Sequence, residues 1–123
     1  MQVPDLGFPV EVIGGVPVVA APEDIDITNA AGLRTALLQA ASLGSGGTFV
    51  VDMSRTQFCD TAGLHALVAA HKRARAGGGQ LLLVTHGAAV DRILSITGLD
   101  RVIPHFPSLE EALTQAPNDP APE

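Results

Sequence analysis

The stretch FCDTAGLHAL, residues 58–67, carries a thiol, a carboxylate, a hydroxyl and an imidazole within a few positions of one another. Thr61 could act as a nucleophile only with a general base in reach, and His65 lies four residues on, about one helical turn away. Hydrolysis by Thr61 and His65 is the weaker hypothesis, because the chain lacks a Gly-x-Ser-x-Gly elbow. Phosphorylation suits the hydroxyl better, since a phosphate is tolerated near the free amides of a helix start.

Asp60 and Gly63 also have purely structural explanations. Asp60 is a favoured N-cap residue, and a carboxylate at this end of a helix is stabilised by the helix dipole. Gly63 so early in a helix costs up to about 1 kcal/mol relative to alanine, which requires a reason. The close approach of another backbone or of a partner would supply one. From these residues alone, a plain helix cap and a functional loop both stay open.

Metal and nucleotide sites are not predicted elsewhere in the chain. The possible metal ligands besides carboxylates are Cys59, His65, His71, His86 and His105. Their spacing matches no compact zinc pattern, and a lone cysteine is commonly a small buried hydrophobe. The glycine-rich segments 44–47 and 77–79 lack the Gly-Lys-Ser/Thr that completes a phosphate loop, so we assign them to helix ends. We expect no cofactor and no metal.

The composition indicates one packed domain and limits its partners. Of 123 residues, 46% are hydrophobic and 16% charged, which fits a globular core. The formal charge of -6 disfavours nucleic acid and anionic membrane surfaces as partners. One cysteine rules out an internal disulfide, and no apolar run approaches the roughly 20 residues that span a bilayer. Because the first residues also lack a signal-peptide pattern, we expect a cytoplasmic protein.

Strands are predicted at five places. Phe8, Val10 and Val12 alternate with their neighbours as in a half-buried edge strand, and Gly14-Gly15 supplies a hairpin turn to a second strand. The apolar runs TFVVDM and QLLLVT have the length of buried strands. RVIPHF predicts a short last strand, with its proline at an edge of the sheet.

Four helices alternate with these strands. The first begins at a cap formed by Thr28 or Asn29 and ends at Gly44, and the second follows Asp60. GAAVDRILSITG predicts the third, and SLEEALTQA the fourth, with a capping box that starts at Ser108. This order predicts an α/β fold: a single domain over residues 5–116, with a mixed sheet, an opening hairpin and later strands that run parallel. Residues 117–123 form a proline-rich tail that we expect to be disordered.

Three segments together resemble a known family. MSRTQFCDTAGLHALVAAHKRARAGGGQLLLV resembles the centre of a STAS domain, the fold of bacterial anti-sigma factor antagonists. VDRILSITGLDRVIPHFPSLEEAL is similar to the later part of that fold. EDIDITNAAGL resembles the family's Gly-Glu-Leu/Ile-Asp segment, with Asp24 at the Glu and Asp26 at the Asp. The resemblance covers roughly residues 10–115.

The resemblance assigns roles to individual residues. Thr61 stands at the position of the phosphoacceptor, directly after Asp60, and Asp26 corresponds to an acidic residue near the acceptor. The implied partner-binding residues are Asp26, Asp60, Thr61, Ala62, Gly63 and Leu64. Three departures from the family pattern stand out: Glu23 replaces a glycine, Gly32 lies inside the first helix, and the acceptor is threonine where serine is more common.

The resemblance implies a partner switch rather than an enzyme. The unmodified domain would bind an anti-sigma factor, a serine/threonine kinase of the histidine-kinase-like ATPase type, and thereby release its sigma factor. Phosphorylation of Thr61 would end that binding, and a phosphatase would restore it. The alternative is a STAS adaptor without a switch, such as a scaffold subunit of a signalling or transport complex.

Overall fold

The computed structural model describes residues 8–43 and 45–116 of the chain. Gly44, residues 5–7 of the predicted domain and the predicted disordered tail at 117–123 therefore lie outside the described residues. The expected domain bounds and the disorder of the tail stay predictions.

An antiparallel hairpin opens the fold, as the sequence predicts. Strand β1 (Val10–Ile13) pairs with β2 (Val16–Ala20) across a turn in which Gly14 and Gly15 have φ angles of 60° and 84°. Left-handed backbone of this kind is open to glycine at little steric cost.

Three later strands extend the sheet in parallel. They are β4 (Phe49–Met53), β6 (Leu81–Thr85) and β7 (His105–Phe106), and the order across the five strands is β1-β2-β4-β6-β7. A separate two-stranded sheet contains β3 (Asp24–Ile25) and β5 (Phe58–Cys59). The predicted mixed sheet with an opening hairpin is thus confirmed.

In the described part of the chain, four helices cover the sheet on both faces. They are α1 (Ala30–Leu43), α2 (Thr61–Ala76), α3 (Ala88–Thr97) and α4 (Leu109–Gln115). The larger core lies between one face of the sheet and α1, α2 and α3. Alternate strand residues point to the other face, where they pack against α4. Because both faces are covered, β4 and β6 are apolar except for Asp52 and Thr85 near their carboxyl ends.

Two of the predicted strands differ from the observed ones. Val10 and Val12 of β1 are both exposed, by 42% and 58%, since β1 lies at the edge of the sheet and is paired on one side only. The last strand is reduced to His105–Phe106, because the residues after Gly98 first form a 3₁₀ turn at Leu99–Arg101.

The predicted side-chain cap of α1 is wrong. Leu33 N donates to the carbonyl of Asn29, so Asn29 does occupy the position before the helix. Its carboxamide, however, accepts from Asp26 N (2.9 Å) and donates to Asp24 O (2.8 Å). The Thr28 hydroxyl donates to the Asp26 carboxylate instead of accepting from a helix amide. Both side chains thus order the preceding loop.

The two glycine-rich segments meet at the end of the sheet where β4 and β6 begin. A Cβ on Gly79 would lie 2.5 Å from Thr48 N and closer still to the backbones of Gly46 and Gly47. Only glycine at position 79 allows this approach, and positive φ angles account for Gly46, Gly47 and Gly78.

Candidate functional site

The site begins with a short parallel pairing that joins two loops. Strand β3 (Asp24–Ile25) pairs with β5 (Phe58–Cys59), and Asp60 N donates to Ile25 O at 3.0 Å. This places the turn at Asp26 beside the start of α2. Sequence analysis missed these strands, because two residues are too few to show a period.

Asp60 caps α2 as predicted. Its backbone is extended, with φ of -88° and ψ of -174°, and its carboxylate accepts from Gly63 N at 3.1 Å. Thr61 is therefore the first residue of the helix. The Thr61 side chain is exposed, and among the described residues its hydroxyl has no hydrogen-bond partner.

Gly63 is explained by the side chains beneath it. A Cβ at this position would lie 2.5 Å from Ile25 Cγ2 and 2.6 Å from Cys59 Sγ, both well inside van der Waals contact. Ile25 and Cys59 are themselves buried, so neither can swing into solvent. The β3–β5 pair under the helix thus supplies the close approach that explains a glycine at position 63. Gly63 itself is buried.

Cys59 in this pair and Asp26 directly after it are ionisable side chains in different environments. Burial raises the pKa of the Cys59 thiol to about 11, with a smaller contribution from the Asp60 charge, so the thiol stays protonated at neutral pH. Hydrogen bonds from the hydroxyl and amide of Thr28 lower the pKa of the Asp26 carboxyl. Asp26 is therefore ionised and held in a fixed turn, while Cys59 is not a nucleophile.

The predicted partner-binding residues form one contiguous area but are not equally accessible. Thr61 is exposed, and Asp26, Asp60, Ala62 and Leu64 are half-buried. Gly63 can affect a partner only through the shape of the loop, because it is buried.

Two exposed apolar side chains that sequence analysis did not select flank this area. Ile27, directly after the Asp26 turn, is 80% exposed, and Phe58 in β5 is 49% exposed. Large apolar side chains that stand next to a polar loop are a common feature of docking surfaces. Their sequence signal is weak, because Ile27 and Phe58 have the residue types of a buried strand.

A groove runs between the first halves of α1 and α2, beside Thr61. Its volume is about 500 Å³. The residues that line it are Ile27, Ala30, Ala31, Arg34, Ala62, His65, Ala66 and Ala69. We call it the α1–α2 groove. His65 lies in its wall, is exposed and shares no hydrogen bond with Thr61 among the described residues, which gives the nucleophile–base hypothesis no support.

Comparison with known proteins identifies this architecture. The sequence profile of the STAS domain matches residues 8–112. The chain belongs to the STAS domain family. The predicted resemblance is thereby confirmed, along with the fold class.

Individual STAS relatives share this fold over most of the chain. An anti-sigma factor antagonist from Mycobacterium paratuberculosis superimposes with a TM-score of 0.80 and 31% identity, over 89% of this chain and 92% of that one. SpoIIAA in its unphosphorylated form has the same fold, with a TM-score of 0.73 and 20% identity over 88% and 94% of the two chains.

A relative from Mycobacterium tuberculosis is similar in sequence. The candidate anti-anti-sigma factor Rv2638 is 34% identical over 82 residues, which are 67% of this chain. The same match covers 55% of the relative, so this STAS chain spans about half the length of that protein.

Residues 8–43 and 45–116 contain neither a metal-ligand cluster nor a membrane-spanning helix. Nowhere in this part of the chain do three histidine, cysteine or acidic side chains come together as metal ligands would. Within the same ranges, no helix has the length and apolar character needed to cross a membrane.

Proposed function

We propose that this STAS domain is an anti-sigma factor antagonist that is switched off by phosphorylation of Thr61. The observation that carries the proposal is the exposed Thr61 hydroxyl at the first position of a helix whose cap is supplied by its neighbour Asp60. Because Asp60 and not Thr61 accepts from the helix amides, the hydroxyl can be modified without loss of the cap.

The surroundings of Thr61 favour a switch by charge. A phosphate adds about -1.5 to -2 charges. Here it would join two carboxylates, those of Asp26 and Asp60, next to the exposed apolar side chains Ile27 and Phe58. A partner that covers the apolar side chains would have to bury the phosphate as well. An unpaired buried charge costs several kcal/mol, and each 1.4 kcal/mol changes the affinity about tenfold.

The proposed partner is an anti-sigma factor that is also a serine/threonine kinase of the histidine-kinase-like ATPase type. The unmodified domain binds this kinase and releases the sigma factor that the kinase had sequestered. The kinase then transfers a phosphoryl group from ATP to the Thr61 oxygen, the Thr61 proton is lost, and ADP leaves. A phosphatase hydrolyses the phosphoester and resets the domain, which itself catalyses nothing.

A capture experiment with matched variants tests this proposal. Tagged wild type, Thr61→Glu and Thr61→Val are used as baits in lysate of the native host, and the captured proteins are identified by mass spectrometry. Valine has the shape of threonine without its hydroxyl, so Thr61→Val should bind as wild type does but resist phosphorylation. Thr61→Glu carries a permanent charge and should lose the partner.

Three results must coincide to support the switch. The partner that only Thr61→Glu loses must bind a sigma factor, must release it when the wild-type domain is added, and must phosphorylate wild type but not Thr61→Val in the presence of ATP. Capture of the same proteins by wild type and Thr61→Glu would contradict the switch and favour the adaptor without one.

A further inference from the structure

The α1–α2 groove has the form of a docking surface for a protein segment. Alanines from both helices supply most of its lining, and such short side chains leave space into which a larger apolar side chain can insert. Ile27, 80% exposed, stands where the groove meets the Asp26 turn. The groove also continues into the Thr61 area through Ala62, the next residue of α2.

The groove lining carries a basic side chain in a protein that is acidic as a whole. Arg34 is the one residue among those described in its lining that is charged at neutral pH, whereas the whole chain carries a net charge of -6. Arg34 is exposed and is the fifth residue of α1, and His65 is the fifth residue of α2. Both therefore lie about 6 Å along their helices from the first residue, and both line the same groove.

We infer that the α1–α2 groove receives a segment of the anti-sigma factor that carries an acidic and a large apolar side chain, and that phosphate on Thr61 competes with the acidic side chain for Arg34. The inference rests on the proposed function and specifies its partner surface. A guanidinium binds carboxylate and phosphate in the same planar geometry, so one arginine can serve both ligands in turn.

This arrangement gives the switch a second component besides repulsion. In the unmodified protein, Arg34 is available to the partner's carboxylate. After phosphorylation, the dianion one turn before His65 attracts Arg34 across the groove, and the partner loses its counter-charge. The loss of affinity for the partner on phosphorylation should therefore depend on Arg34, whereas a loss caused by repulsion alone would not.

The test uses the anti-sigma factor captured above and measures its dissociation constants for purified variants. Arg34→Gln should weaken binding about fivefold, and the matched change Arg92→Gln, at the exposed fifth residue of α3, should stay within about twofold. Ala31→Leu fills the groove from an exposed position and should weaken binding about tenfold. Ala89→Leu, an exposed change on α3 outside the groove, should leave binding unchanged.

A double-mutant cycle isolates the competition. The change Thr61→Glu is made both in the wild-type protein and in the Arg34→Gln variant. The factor by which it raises the dissociation constant should be at least about threefold smaller in the Arg34→Gln variant. Equal penalties in the two backgrounds would overturn the competition.

The two proposals fail in different ways. If Thr61→Glu abolishes binding while Arg34→Gln and Ala31→Leu bind as wild type does, the phosphoswitch stands and the groove is not the docking surface. If wild type captures no anti-sigma factor, or if Thr61→Glu binds it equally well, the proposed function fails and the inference about the groove fails with it.

Discussion

Gly63→Ala tests how tightly α2 packs on the β3–β5 pair. Helix propensity alone predicts a gain of about 1 kcal/mol from this change, since alanine is the better helix residue. The structure predicts the opposite sign, because the new methyl would lie 2.5 Å from Ile25 Cγ2 and 2.6 Å from Cys59 Sγ. Overpacking of a buried site costs about 1–3 kcal/mol.

The expected net effect is a loss of about 2 kcal/mol in the free energy of unfolding. The upper part of the overpacking range, about 3 kcal/mol, applies because Ile25 is 0% and Cys59 3% exposed, and the propensity gain of about 1 kcal/mol is subtracted from it. Urea denaturation measures this difference as a shift of the midpoint at unchanged slope. Ala62→Gly, in the same helical turn, is the control for propensity and should cost up to about 1 kcal/mol.

A second variant identifies the contact responsible. Cys59→Ala removes the sulfur, so the loss in the double variant Cys59→Ala/Gly63→Ala should be smaller than the sum of the two single losses. Cys59→Ala should relieve only part of the Gly63→Ala clash, because Ile25 stays in place. A Gly63→Ala protein that equals or exceeds wild type in stability would refute this reasoning, since propensity would then outweigh the packing of α2 on Ile25 and Cys59.

Three further predictions concern stability. Asp60→Ala removes the cap of α2 and should lower the free energy of unfolding, measured in urea, by about 1 kcal/mol. Asp60→Asn can still cap the helix and should lose less than half of that. Equal losses in the two variants would contradict the role of Asp60 as a cap. Gly79→Ala should lower the free energy of unfolding by at least about 3 kcal/mol, because the new methyl would meet the backbone of residues 46–48. The control Gly78→Ala, at a position with φ of 90° and open space around it, should lower it by only about 1 kcal/mol. Similar losses in the two variants would contradict the close backbone approach at Gly79. Burial, and secondarily the charge of Arg75, lowers the pKa of His71 below its usual 6.5 in the folded protein. As the pH drops below about 6.5, His71 is therefore protonated more readily in the unfolded chain, and the free energy of unfolding should fall. His71→Gln should flatten this pH dependence in urea titrations across about pH 5–8, and an unchanged slope would exclude His71 as its source.

Local chemistry determined much of the fold in advance. Gly14-Gly15 predicted the hairpin because few other residues accept its left-handed backbone, and the Ser108 cap of α4 is observed, with Glu111 N as its donor. Asp60 was likewise predicted as a cap. These features depend on residues that are close in the chain, where backbone geometry and hydrogen bonding are sufficient to decide them. The phosphoacceptor role of Thr61 came from the resemblance to STAS domains and stays a prediction.

Only the tertiary structure decided how distant segments meet. The Asn29 side chain bonds to residues three and five positions before it, but the loop that contains them is held in place by its pairing with residues 58–59, which lie more than 30 residues on. The reason for Gly63 lies 38 residues away in Ile25, and the α1–α2 groove exists only because two helices from different parts of the chain pack side by side. Such contacts depend on the shape of the whole core, which a one-dimensional pattern of residue types does not contain.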